Sequence, residues 1–194
     1  MFKTWLAHPL TKGLDIDDPT TTHLRLQIIQ QKSFLRRIYE EWYRAIVAAL
    51  PAGQGAVIEL GAGGGFMRDF IPNLITSELF YCPSVQVLLN ALRLPFATKS
   101  LRGIVMTNVL HHLPQPRLFF AEATRCVRPG GAVAMVEPWV TPWSRFVYNR
   151  LHHAPVQRHK ALLIDSLLPP AQKALSGGRC PEADEAQVIR SGLQ

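Results

Sequence analysis

Cysteine is scarce in this chain. Cys82, Cys126 and Cys180 are three in number, odd and without C-x-x-C spacing. This excludes a disulfide framework and offers no zinc site, so reduced thiols are expected. Long apolar runs are also missing: nothing approaches the roughly eighteen residues of a membrane span. The opening Met1-Phe2-Lys3-Thr4-Trp5-Leu6-Ala7-His8-Pro9 lacks the apolar centre of a signal peptide. A soluble protein of the cytoplasm with no membrane span is the expectation. Charge is thin too, at 18% of residues, and the net excess of +7 is dispersed over Lys32, Arg36 and Arg37, over Arg125 and Arg128, and over Arg158 and Lys160. Without one basic block interleaved with aromatics, no nucleic-acid partner is expected.

What is present is enough apolar material, 47% of 194 residues, to bury a core, and a length suited to one domain with appendages. The chain is organised around Val57-Ile58-Glu59-Leu60-Gly61-Ala62-Gly63-Gly64-Gly65-Phe66. A short apolar run, Ala56 to Leu60, meets a glycine cluster, after which Phe66, Met67, Phe70 and Ile71 recur at helical spacing until Pro72. Strand, tight turn and helix are therefore expected. Glycine suits such a turn because a Cβ would block positive φ and hold a ligand off the backbone. The dinucleotide fingerprint G-x-G-x-x-G fails, since its third glycine would fall on Phe66 or, counted from Gly63, on Arg68, and no Gly-Lys-Ser/Thr follows to make a P-loop. A nicotinamide-dependent oxidoreductase is thereby disfavoured.

Before this turn, an arm with the acidic knot Asp15-Ile16-Asp17-Asp18 leads into one helix expected from about His23 to Leu50. Its stripe is Leu35, Ile38, Tyr39, Trp42, Ile46 and Ala49, and core packing is the favoured role for Tyr39 and Trp42. After the turn, Leu74-Ile75-Thr76-Ser77-Glu78 reads as a second strand ending in an acid, placed where nucleoside-binding α/β folds put a carboxylate for ribose. Val85 to Phe96 is a third strand candidate that runs into a loop. Ile104 to Met106 is a fourth, with polar residues Asn108, His111 and His112 arriving at its carboxyl end, where open α/β sheets place ligands. A helix over Arg117–Arg128 follows, with Leu118, Phe119, Ala123, Cys126 and Val127 toward the sheet and a Pro129-Gly130-Gly131 stop. Ala132 to Pro138 makes a fifth strand. Alternation of strands and helices predicts βαβ crossovers and a parallel sheet covered on both faces.

His111 and His112 are adjacent, are expected to point apart, and have no carboxylate or third histidine at ligand spacing, so no metal is expected. One of them is a candidate general base, since imidazole titrates near neutrality, with packing under a ligand as the equally weighted alternative.

Four stretches resemble the class I S-adenosylmethionine-dependent methyltransferases, of the type 11 kind: Glu59-x-Gly61-x-Gly63-x-Gly65; Asn90-Ala91-x-x-Leu94-Pro95-Phe96; Val109-Leu110-His111-His112-Leu113; and the run Glu122 to Gly131 with its Arg-Pro-Gly-Gly ending. The resemblance covers Ala52 to about Pro138. It implies an α/β, Rossmann-like three-layer sandwich with a mainly parallel sheet, and S-adenosyl-L-methionine as cofactor. It implies methyl transfer to a small-molecule acceptor. By the same resemblance, Gly61, Ala62, Gly63 and Gly65 pass beneath the methionine moiety and Glu59 serves its ammonium. Glu78 holds the ribose, and Asn90 with Ala91 the adenine. Asn108 to His112 line the face between cofactor and acceptor, with His111 and His112 the catalytic candidates and Glu137 a weaker one on the acceptor side. Two positions depart from the family: Asn90 stands for an aspartate, keeping one acceptor oxygen, and Arg102 replaces an aspartate before the fourth strand.

The organisation expected is an arm and helix over 1–51, a cofactor-binding core over 52–154 and a divergent tail over 155–194. Trp143, Phe146, Val147, Tyr148 and Leu151 suit a helix and Ala161 to Leu168 a short one. Beyond these, no two alternating runs remain for the antiparallel edge that completes the family's sheet, so its last two strands are expected to be missing, as in a shortened or frame-shifted relative. The alternative to an active enzyme is a catalytically silent binding or scaffold domain.

Overall fold

The computed structural model describes residues 21–82, 84–138 and 186–192. The arm, the two helices expected within 143–168 and Cys180 lie outside the described residues. Helix α1 spans Thr21–Gln31 and α2 spans Ser33–Ala49; strands β1 (Ala56–Leu60), β2 (Ile75–Glu78), β3 (Val87–Leu88) and β4 (Leu101–Thr107) follow; α3 (Pro116–Cys126) precedes β5 (Val127–Pro138), and β6 is Ala186–Gly192. The sheet order is β3-β2-β1-β4-β5-β6. The first five strands are mutually parallel and β6 is antiparallel to β5. The order reverses between β1 and β4, so a crevice opens at the carboxyl ends of these two strands, where doubly wound sheets bind ligands.

Two-residue alternation along the central strands explains the layers. Ile58 and Leu60 of β1, Ile104 and Met106 of β4, and Val133 and Met135 of β5 point to one face, where Phe119, Ala123 and Cys126 of α3 cover them. Val57, Val105, Ala134 and Val136 point to the other, beneath Tyr43, Ile46 and Ala49 of α2. Both faces being apolar, the sheet needs a layer on each side, and the expected three-layer sandwich results.

Several boundaries differ from expectation, each for a physical reason. The helix expected from His23 to Leu50 is two, because Lys32 is extended at φ −97°, ψ 98°. The apolar stripe begins only after Lys32, and α1 turns aside to dock on the glycine bend. The buried residues of α2 are Tyr43, Ile46 and Ala49, so its inner face is centred on Tyr43, with Tyr39 and Trp42 beside it. The helix expected after the glycines is a single 3-10 turn, Met67–Asp69; Pro72 leaves too few residues to repay helix nucleation. The second strand starts at Ile75, and the third is reduced to Val87–Leu88. In α3 the inward residues are Phe119, Ala123 and Cys126, whereas Leu118 is exposed. The Pro-Gly-Gly segment falls inside β5 as an irregularity: pairing steps from Leu101↔Val127 to Gly103↔Ala132, with Gly130 at φ 74° absorbing the extra length. Finally, the tail expected to hold no edge strand supplies β6, which pairs with β5 from Ala132↔Gly192 to Pro138↔Ala186.

Arginines tie the connections down. Arg102 donates from Nη1 to the Pro51 carbonyl at 2.9 Å and from Nε to that of Gly55 at 3.3 Å, which anchors the entry to β1; an aspartate there could not donate. Arg125 donates to the carbonyls of Leu94 (2.9 Å) and Phe96 (2.7 Å), while Glu122, paired with it, accepts from the Leu94 amide at 2.8 Å. The Leu94-Pro95-Phe96 loop is thereby clamped to α3. Because Phe119 is completely buried at the centre of one face, Phe119→Ala is expected to cost about 3–5 kcal/mol, read as a lowered urea midpoint with an unchanged m-value.

Candidate functional site

The carboxyl ends of the parallel strands form a row, and each end carries polar chemistry. Asn90 follows β3, Glu78 ends β2, Glu59 and the glycine bend finish β1, Thr107 and Asn108 finish β4, and Glu137 sits near the end of β5. At the bend, Gly61 and Gly63 have φ of 63° and 46°, conformations that cost an L-residue with a Cβ roughly 1–2 kcal/mol. Glu78 turns into this bend: its Oε1 accepts from the Gly63 amide at 2.8 Å and its Oε2 from the Leu79 amide at 3.1 Å. The Ala62 amide donates to the Ser77 carbonyl at 3.0 Å, and Ser77 Oγ donates to the Glu59 carbonyl at 2.7 Å. These bonds lock the ends of β1 and β2 together.

Gly64 is required by close approach. A Cβ there would lie 2.7 Å from the Thr22 carbonyl and 2.9 Å from the Leu26 amide, so the first turns of α1 rest directly on the bend. From the other side, Val109 packs its side chain against Gly61. Above Gly65 lies the Tyr43 hydroxyl, which accepts from the Phe66 amide at 3.2 Å.

Glu59 shares the α2 face of β1 with Val57 and is 3% exposed. Among the described residues no hydrogen bond reaches its carboxyl. Burial, and next the nearby Glu78 carboxylate, push it up to about 8, against a smaller opposing pull from Arg68. Burial likewise raises the Tyr43 phenol, with Glu59 adding to the effect. A buried carboxylate without a donor is costly unless a cation arrives to pair with it.

Glu137 is also buried, yet fully engaged. Its Oε1 accepts from the amides of Val109 (2.8 Å) and Leu110 (2.7 Å), and its Oε2 lies 3.4 Å from the His111 amide and 2.7 Å from His111 Nδ1. The expectation that no carboxylate accompanies the histidines is corrected here: Thr107 pairs with Val136 across β4 and β5, which sets Glu137 beside the 109–112 turn. The histidine rings do not point apart either; their centroids are 4.0 Å from each other. Among the described residues no group of His, Cys, Asp and Glu is arranged to hold a metal.

Asn108 adopts φ 58°, which asparagine tolerates better than most residues, and its amide donates to the Val136 carbonyl at 2.8 Å. Asn90 is exposed; its Oδ1 accepts from the Leu92 amide at 2.9 Å, closing the turn that contains Ala91. The sequence reading missed Thr107, whose buried hydroxyl has no partner among the described residues, and Tyr43, hidden in an aromatic stripe. Strand register was the available signal for the Glu137–His111 pairing, since parallel β4 and β5 align these two ends.

Residues 58–135 match the family described as methyltransferase domain. This stretch is a methyltransferase domain. The fold of the chain agrees with that of solved structures. It aligns over 91% of its length with 94% of a Methanococcus maripaludis protein assigned as an S-adenosyl-L-methionine-dependent methyltransferase, at 12% identity and TM-score 0.60. Geranyl diphosphate C-methyltransferase from Streptomyces coelicolor A3(2), solved with S-adenosyl-L-homocysteine, aligns over 92% of this chain and 86% of its own at 11% identity and TM-score 0.57. A SAM-dependent methyltransferase from Thermotoga maritima aligns over 76% and 78%, at 17% identity and TM-score 0.55. Elsewhere the chain spans about three-fifths of the structure it matches, as with 63% of a Bacillus halodurans C-125 protein and 57% of a Haloferax volcanii one. No curated protein matches the sequence. Among the described residues no helix is long and apolar enough to cross a membrane.

The Glu59 carboxyl, held at about 8 against an ordinary 4.5, favours the neutral form on folding. Its contribution to stability is therefore whole below about pH 4.5 and is lost as pH rises through 8, a difference on the order of 5 kcal/mol. Glu59→Gln is expected to flatten this loss. The check is thermal melting of both proteins from pH 5 to 9, with the variant the more stable at the alkaline end.

Proposed function

We propose that this chain transfers the methyl of S-adenosyl-L-methionine to a small-molecule acceptor, with the row of strand ends as the cofactor site. The observation that carries the reading is the buried Glu59 carboxyl, with no donor among the described residues, at the foot of a bend free of side chains. An ammonium group is the natural partner for it, and the bend lets the backbone lie flush against a ligand. In this reading Gly61, Ala62, Gly63 and Gly65 run beneath the amino-acid portion of the cofactor. Glu78 accepts from the ribose hydroxyls with the lone pairs that the Gly63 and Leu79 amides leave. Asn90 and Ala91 border the adenine, with the carboxamide of Asn90 offering donors as well as an acceptor, and Asn108 closes the methionine side.

When bound, the cofactor supplies an activated methyl: the acceptor–carbon bond forms as the carbon–sulfur bond breaks, the pair staying on sulfur. The chain's own contribution is positioning and exclusion of water. The first turns of α1 on Gly64 and Val109 on Gly61 wall the bend from two sides. His111 and His112 stand on the turn beside it, where the acceptor would approach.

Two outcomes are expected in calorimetry. Pairing Glu59 with an ammonium favours its ionised form, so binding of S-adenosylmethionine at pH 7 should release a proton and tighten as pH rises toward 8. The readout is a binding enthalpy that changes with buffer ionisation enthalpy, lost in Glu59→Gln. Gly63→Val should weaken binding at least tenfold through backbone strain, since a Cβ there meets only ordinary contacts, the nearest Glu78 Oε1 at 3.5 Å. Equal affinity in both proteins would remove the glycine bend as the site. Tight binding with no transfer to any supplied acceptor would point to a silent cofactor-binding domain.

A further inference from the structure

We infer that Glu137 is a positioning residue that makes His111 Nε2 the proton acceptor of the site, and that the methyl acceptor is therefore a protic oxygen or nitrogen. This rests on the cofactor reading above. It goes beyond that reading by specifying the acceptor's chemistry.

The geometry begins with the engagement of the Glu137 carboxylate. Three of its contacts go to successive amides, Val109 to His111, and fix the backbone of the turn; the fourth, at 2.7 Å, is to His111 Nδ1. An ionised carboxylate has no proton to give, so Nδ1 must be the donor and the neutral ring carries its hydrogen there. The unprotonated nitrogen is then Nε2. The same carboxylate stabilises the imidazolium once Nε2 takes a proton, the role an acid plays behind a catalytic histidine. Location agrees with this role. The side chain of Val109, anchored through its amide by Glu137, packs on Gly61, so the turn that carries the imidazole two residues later is held against the glycine bend. His111 keeps 40% of its side chain exposed, against 6% for Glu137, so the ring faces the open side and the carboxylate is behind it.

The proton accounting then restricts the acceptor. A phenol, alcohol or amine loses one proton for each methyl gained, and that proton passes to Nε2 and on to solvent. A tertiary amine or thioether becomes a cation without losing a proton and gives such a base nothing to do.

Glu137→Gln provides the decisive test. Glutamine keeps an acceptor oxygen for the Val109 and Leu110 amides but presents an NH2 to Nδ1. The imidazole must then accept at Nδ1 and carry its hydrogen on Nε2. In the full chain with labelled histidine, nitrogen NMR above neutral pH should show an unprotonated Nε2 for His111 in the parent protein and a protonated one in Glu137→Gln. S-adenosylhomocysteine should bind the parent, His111→Ala and Glu137→Gln within about threefold of one another. With radiolabelled S-adenosylmethionine and a panel of catechol, a primary alkylamine and a trialkylamine, label should enter a protic member alone. Its turnover should fall about 100-fold or more in both variants, within the range for loss of a general base. An identical Nε2 signal in parent and Glu137→Gln overturns the inference, as does labelling of the trialkylamine alone or undiminished turnover in His111→Ala. Absence of label from every protic member, in a chain that binds S-adenosylhomocysteine, also overturns it. Failure to bind S-adenosylhomocysteine at all would instead defeat the cofactor reading.

Discussion

Alternation of apolar side chains on β1, β4 and β5 is the constraint from which the remainder of this architecture follows. Because neighbouring residues such as Val57 and Ile58, or Val105 and Ile104, must both be removed from water, the sheet needs a layer on each face. With no polar face to spare along the strands, polar groups collect at the strand ends. Parallel pairing then brings those ends to one edge. The row formed by Asn90, Glu78, Glu59, Asn108 and Glu137 is in this sense a consequence of core packing.

Within that row two buried carboxylates have opposite fates. Glu137 lies beside the free amides that begin the 109–112 turn and is satisfied by them, which spends its charge on fixing backbone and imidazole. Glu59, two strands over, has the Tyr43 and Glu78 side chains around it in place of amides, and burial pushes it up to about 8. One acid is committed to structure, and the other retains a pairing capacity that only a cation would meet. The Gly63–Glu78 hydrogen bond joins them to the bend, since it sets the carboxylate that raises Glu59 against the amide that a ligand would lie upon.

The central elements were legible because their signals are local. Ala56 to Leu60, Ile104 to Met106 and Ala132 to Glu137 are apolar runs bounded by glycine or polar residues, and each is a strand. Gly61 and Gly63 announce positive φ, and both have it. Misreadings occurred where a distant partner decided the outcome. Nothing near Lys32 breaks a helix; the break exists because α1 has to reach Gly64. Met67 to Ile71 has helical spacing, but the chain must return at once to β2. Ala186 to Gly192 lacks a strong strand pattern and is a strand because β5 offers an unpaired edge, which favours pairing over exposure of backbone donors and acceptors.

For the site, residue chemistry and spacing along the chain determined which groups could take part: the glycines by their φ, and Glu59, Glu78, Asn108 and His111 by their positions at strand ends. Only the tertiary structure decided how those groups are charged and aimed. Register across β4 and β5 brought Glu137 to His111, and the docking of α2 buried Glu59 beneath Tyr43. A carboxyl's proton affinity and an imidazole's tautomer depend on neighbours within a few ångströms, and those neighbours come from segments that are remote in sequence.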